Sequence, residues 1–188
     1  MPVTLKFLLT IAMLVGATIS AQGEPMPPEM PLETFSNHPE TRWRVFTDTV
    51  MGGVSTGQVS FEREGATHFA RLSGKVSTKN RGGFIQIQMK LDAPPEGARG
   101  VRIVMRGNDE DYFVHLRSRT MLLPWQYYQA RFHATTGWTE VKLPFTAFTP
   151  SGGMLRAEPR AKDLKSIGVV AYGKDYEASV DVKEIGFY

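Results

Sequence analysis

The chain contains no cysteine. That absence excludes disulfides, a thiolate nucleophile, a cysteine-ligated zinc site and a lipid-modified cysteine behind a leader, so the fold must be held by its core. There is also no block of basic charge. The net charge is +3 over 188 residues, with Lys and Arg scattered, and nucleic-acid binding wants a cluster or stripe. Histidine is scarce: His38, His68, His115 and His133 show neither His-x-His nor His-Glu-x-x-His spacing, so no metal site is expected from them. Neither the G-x-G-x-x-G pattern nor the Walker loop is present, which removes the common phosphate cradles. The longest apolar run falls short of the roughly 20 residues that a comfortable membrane span needs.

That run, Phe7 to Ile19, follows Lys6 and precedes Ala21-Gln22-Gly23. A positive start, a short apolar centre and a small-x-small end predict a secretory signal peptide over residues 1–23, with an uncleaved anchor as the alternative. Export without disulfides points to a periplasmic or secreted protein, with no membrane insertion once the leader is removed. Residues 24–40 carry five of the twelve prolines and read as a proline-rich linker or arm. The folded domain is expected over 41–188.

Within it the hydrophobic period is two. Ile85, Ile87 and Met89 alternate with Gln86, Gln88 and Lys90; Val101, Ile103 and Met105 with Arg102 and Arg106; Tyr112, Val114 and Leu116 with Phe113, His115 and Arg117. A fourth run sets Tyr128, Ala130 and Phe132 opposite Trp125, Tyr127, Gln129, Arg131 and His133. Such alternation predicts half-buried strands. Further strands fit 43–48, 57–63, 68–73, 138–143, 164–172 and 179–187, with turn clusters between them. Many short strands and no long amphipathic helix indicate an all-β antiparallel sandwich.

The densest local signal is Asp48-Thr49-Val50-Met51-Gly52-Gly53-Val54-Ser55, echoed by Asn80-Arg81-Gly82-Gly83-Phe84. Paired glycines permit backbone angles or close approaches that side chains forbid. These residues predict a built corner in which Asp48 and Asn80 accept backbone amides and Met51 fills core space beneath. A ligand rim made of Asp48, Ser55 and Asn80 is the alternative. With Trp43, these two motifs resemble the complex I intermediate-associated protein family. The likeness continues through Arg106-Gly107, Tyr112, Tyr128, Phe132, Trp138, Pro144-Phe145 and Phe148. It implies a galactose-binding-like jelly roll, no catalytic centre, no cofactor, and a role in assembling NADH:ubiquinone oxidoreductase. The exported leader departs from that mitochondrial setting.

A binding surface is expected where the polar sides of four strands meet. Gln86, Gln88, Arg106, His115, Arg117, Trp125, Tyr127, Arg131 and His133, with Arg102 beside them, offer flat rings for stacking and fixed donors around them. This holds if the strands share a sheet. The expected partner is a protein, within a membrane-bound complex by the family resemblance. A carbohydrate-binding module using the same face is the alternative, and a hydrolase at the glycine corner is a third reading. No nucleophile elbow is read in the chain, and no carboxylate pair facing across a cleft can be identified. Asn108, Asp109, Glu110 and Asp111 are hard oxygen groups suited either to calcium or to a plain turn.

Overall fold

The alternating segments pair into two stacked antiparallel sheets. The computed structural model describes residues 30–188; the expected leader and the first part of the proline-rich arm lie outside them. The strands are β1 (Met30–Glu33), β2 (Trp43–Thr47), β3 (Thr56–Glu64), β4 (Thr67–Val76), β5 (Phe84–Lys90), β6 (Gly100–Gly107), β7 (Glu110–Ser118), β8 (Tyr128–Ala134), β9 (Thr139–Pro144), β10 (Thr149–Pro150), β11 (Leu164–Tyr172) and β12 (Tyr176–Phe187). The first sheet runs β3-β4-β12-β6-β9, with β1 also paired to β12; the second runs β10-β8-β7-β11-β5-β2.

The inward residues are those the period of two selects. Ile85, Ile87, Val114, Leu116, Ile167 and Val169 of the second sheet pack between the layers with Val101, Ile103, Met105, Leu72, Val180 and Val182 of the first. Burial on this scale, at about 25 cal/mol per Å² of apolar surface, is the main source of stability in a chain without disulfides. Strand β11 shows weaker alternation because Val170, on its outer side, is also fully buried.

Two expectations are corrected here. The domain takes in residues ahead of the expected start near Thr41, from Met30 on among the described residues. Strand β1 pairs with the end of β12, Phe35 is buried against Trp43 with ring centroids 5.5 Å apart, and Glu33 ties the segment down. The Glu33 carboxylate accepts from the amides of Thr34 and Phe35, from Arg42, and from the Trp43 indole at 3.2 Å. Proline density marked the segment as extended, but extended chain is also what an edge strand needs. The second correction concerns β6. It pairs with β12 and β9 in the first sheet, so Arg102 and Arg106 point away from the other expected site residues. Alternation distinguishes inside from outside, not one sheet from the other.

Candidate partner-binding face

The outer face of the second sheet is ordered by its register into cross-strand rows. Phe46, Gln86, Val170, Phe113 and Arg131 form one row across β2, β5, β11, β7 and β8. Arg44, Gln88, Gly168, His115 and Gln129 form the next, and Lys90, Ser166 and Arg117 the one after. Gln86, Gln88, His115, Arg117, Arg131 and His133 therefore do share a surface, as expected. Gly168 lies mid-row, where an added Cβ would press on the Ile87 carbonyl and the Gln86 amide.

Trp125 and Tyr127 reach this surface by a different route. The strand starts at Tyr128, and both aromatics belong to the segment 119–127 joining β7 to β8. That loop folds back over β7. The Gln126 side chain, itself buried, accepts from the amides of Leu122 and Leu123 at 3.0 Å each. Ser151 holds the exit: its amide donates to the Tyr127 carbonyl and its hydroxyl accepts from the Tyr127 amide at 3.0 Å. Arg117 donates to the Leu123 carbonyl at 3.2 Å. So anchored, the loop presents Leu122 (90% exposed) and Trp125 (64% exposed) to solvent.

Tyr127 lies flat on His115, with centroids 4.1 Å apart and rings inclined by 10°. Tyr172 meets His115 edge-on at 6.4 Å, and Phe113 meets Tyr172 edge-on at 5.9 Å. Four rings from β7, β11 and the loop thus form a continuous patch in the offset and edge-to-face geometries that aromatic quadrupoles favour. Tyr127 leaves His115 only 7% exposed. Burial pushes the imidazole down to about 3, against a smaller upward pull from Gln129, so the ring is neutral at physiological pH. The Tyr127 phenol is pushed up to about 12, by burial first and then by the neighbouring Tyr172 hydroxyl. The patch is uncharged, with amides and cations around it.

At the other end of β7 and β8, His133 sits between two carboxylates, 3.0 Å from Asp109 and 3.1 Å from Asp111. These bonds, that to Asp109 first, raise its affinity for a proton. Arg131 pairs with Asp111 at 3.4 Å. Asn108 donates to the Glu177 carbonyl and accepts from the Tyr112 hydroxyl at 2.6 Å. The oxygen groups of 108–111 are thus engaged with neighbouring protein groups. Among the described residues no cluster of three metal-ligating side chains is found.

The glycine corner stands at the end of the second sheet remote from loop 119–127, and it is saturated. Asp48 is fully buried. It accepts from the Ser55 amide at 2.8 Å, the Ser55 hydroxyl at 2.5 Å and the Gly83 amide at 2.6 Å. Burial alone would raise its pKa, but these donors and the Phe84 amide outweigh burial and hold the carboxyl below its usual range. Side chains at Gly53 or Gly82 would overlap the Asp48 carboxylate, whereas Gly52 needs its left-handed backbone at φ 89. The structural reading holds for Asp48, Ser55 and the glycines.

It fails for two residues. Met51 is 60% exposed and fills no core space, because the turn of 48–51 directs it outward beside Val50. Asn80 is exposed and takes a left-handed backbone at φ 57; Ser55, which accepts from the Ser77 amide at 2.9 Å, fastens the second loop instead. The residues Gly53-Val54-Ser55-Thr56-Gly57 do spell Gly-x-Ser-x-Gly. The turn leads into β3 and not a helix, and Ser55 is buried with its hydroxyl donated to Asp48. That geometry lacks the exposed serine of a nucleophile elbow.

Phe46, Phe113, Gln129, Tyr172 and Leu122 belong to the face and were not selected from the sequence. Alternation already set Phe113 beside His115 and Gln129 beside Arg131. Tyr172 and Leu122 carried no signal, one closing an apolar strand and the other lying in a loop.

The architecture is a galactose-binding-like jelly-roll sandwich. Similar solved structures include the family 11 carbohydrate-binding module of a cellulosomal cellulase of Clostridium thermocellum, with 12% identity over 85% of this chain and 94% of that one and a TM-score of 0.69. The same organism's family 11 module in complex with a β-1,3-1,4-mixed-linked tetrasaccharide matches at 12% identity over 85% and 94%, TM-score 0.67. Its family 30 module from another cellulosomal cellulase matches at 12% identity over 72% and 90%, TM-score 0.52. The sequence itself is more specific: residues 33–180 match the family of complex I intermediate-associated protein 30, and the chain belongs to that family. No curated protein sequence matches the chain.

Proposed function

We propose that this protein is a non-catalytic recognition domain that docks a protein partner on the outer face of its second sheet, outside the cytoplasm. The observation that carries the reading is the anchored loop 119–127, which holds Trp125 and Leu122 exposed beside the stacked rings of Tyr127 and His115. A preorganised loop loses little entropy on binding, and an exposed aromatic among arginines is the usual make-up of a binding hot spot. Membership of the complex I intermediate-associated family supports a partner within a larger assembly. The leader expected from the sequence supports the location. A second reading is a glycan ligand. It is favoured by the flat, neutral Tyr127–His115 stack bordered by Gln86, Gln88 and Gln129, and by the carbohydrate-binding modules that share the fold.

The test is affinity capture with the purified protein, its Trp125→Ala and Arg131→Ala variants, and a glycan array run in parallel. A partner that co-purifies with the parent chain and is lost, by about tenfold or more in affinity, with Trp125→Ala supports the reading. Equal recovery by both variants removes this face. Array binding that depends on Tyr127, without any protein partner, selects the glycan reading.

A further inference from the structure

The two outer faces treat their positive charges differently. On the first sheet three arginines meet carboxylates: Arg71 with Glu62 and Asp181, Arg102 with Glu140 and Glu184, Arg106 with Glu64 and Asp181. On the second, Arg44, Lys90, Arg117 and Lys165 gather at the end where loop 119–127 begins, and none of these four forms an ion pair among the described residues.

Their spacing follows from the register. Ser166 is the cross-strand partner of both Lys90 and Arg117, so the two cations stand two strands apart, about 10 Å between backbones. Between them lies only a small, buried hydroxyl that already accepts from Gln88 at 3.1 Å. Lys165 occupies the bulge beside Ser166. Burial, and then the charge of Arg117, lowers its affinity for a proton. Arg117 spends one donor on the Leu123 carbonyl while its Nε is buried without a partner. Partly desolvated like charges repel, and an anion laid over them relieves the repulsion. From Lys90 and Arg44 a groove of about 630 Å³ continues past Gln88 and Phe46, with Asp92 its one carboxylate.

We infer that this end of the second sheet is a docking site for an acidic, extended segment of the protein partner, its carboxylates over Lys90, Lys165 and Arg117 and an apolar side chain against Leu122 and Trp125. The inference rests on the partner-binding reading above and adds the partner's charge. A peptide is the occupant that uses all the features. Acidic glycans supply anions but nothing for Leu122, which is 90% exposed within reach of the cations.

The experiment measures binding of a short labelled Glu-rich peptide carrying two leucines. Its Gln-for-Glu counterpart, low-molecular-weight heparin and a single-stranded oligodeoxynucleotide are compared with it. The acidic peptide is expected to bind with an affinity that falls as salt rises, and its Gln counterpart is not. Lys90→Glu with Lys165→Glu is expected to weaken it by about tenfold or more. Lys75→Glu with Lys183→Glu, the same charge change on the first sheet, is expected to leave it intact. Lys165→Glu puts a carboxylate beside Arg117 and so keeps the fold, which thermal melting verifies. No binding of the peptide at low salt, or equal weakening by both double variants, overturns the inference. So does preferential binding of heparin or the oligonucleotide. Loss of Trp125 dependence in the capture experiment is a separate result, and it removes the face as a whole.

Discussion

Asp48 is a buried carboxylate held by neutral donors, two amides and a hydroxyl chief among them. Its role was readable from residue type, since a short acid beside paired glycines has few other uses. Met51 was not readable, because a methionine in a turn carries no mark of facing inward or outward. His115 shows the same limit. Alternation set it on a polar face, yet a tyrosine from a loop covers it. That burial has a measurable consequence. Its folded-state pKa of about 3 lies below the ordinary 6.5, so the unfolded chain takes up the proton first as pH falls. The contribution of the neutral ring is therefore complete above about pH 6.5 and is lost on the way down towards 3. His115→Gln is expected to flatten the stability–pH curve in that window by up to about 1.4 kcal/mol per pH unit, read from urea denaturation at several pH values.

Strands were legible because they are half-buried: Ile85, Ile87 and Met89 could be told from Gln86 and Gln88 at a glance. Their sheet membership was not. Arg106 shares its pattern with Arg117, and only the pairing of β6 with β12 places the two on opposite faces. Loops are built from side-chain-to-backbone bonds that have no period, which is why the anchoring of 119–127 by Gln126 had to be seen. The glycine corner offers a test at this scale. Gly82→Ala sets a methyl group into the Asp48 carboxylate, whereas Gly152→Ala meets nothing within 4 Å. The first is expected to cost about 1–3 kcal/mol by overpacking and the second a few tenths at most. Thermal melts of the two variants side by side check the difference.

Across the molecule, the sandwich class was clear from the sequence while its edge was not. A chain started at Thr41, where proline density suggested the boundary, loses β1, the buried Phe35 and the Glu33 carboxylate that binds Arg42 and the Trp43 indole. Removing a buried phenylalanine alone costs about 3–5 kcal/mol. The shortened chain is thus expected to melt well below one started at Gly23, as calorimetry would show. From Met30 on, the segment that composition marked as a tether is part of the wall.

Strand β12 lies at the centre of the first sheet, bonded along its length to β4, β1 and β6. Of all the strands it is also the latest made. Until residues 176–187 are synthesised, the first sheet is two separate pairs, β3-β4 and β6-β9, with β1 unpaired and nothing joining them into one layer. The sandwich is therefore obliged to close after translation of the domain is finished.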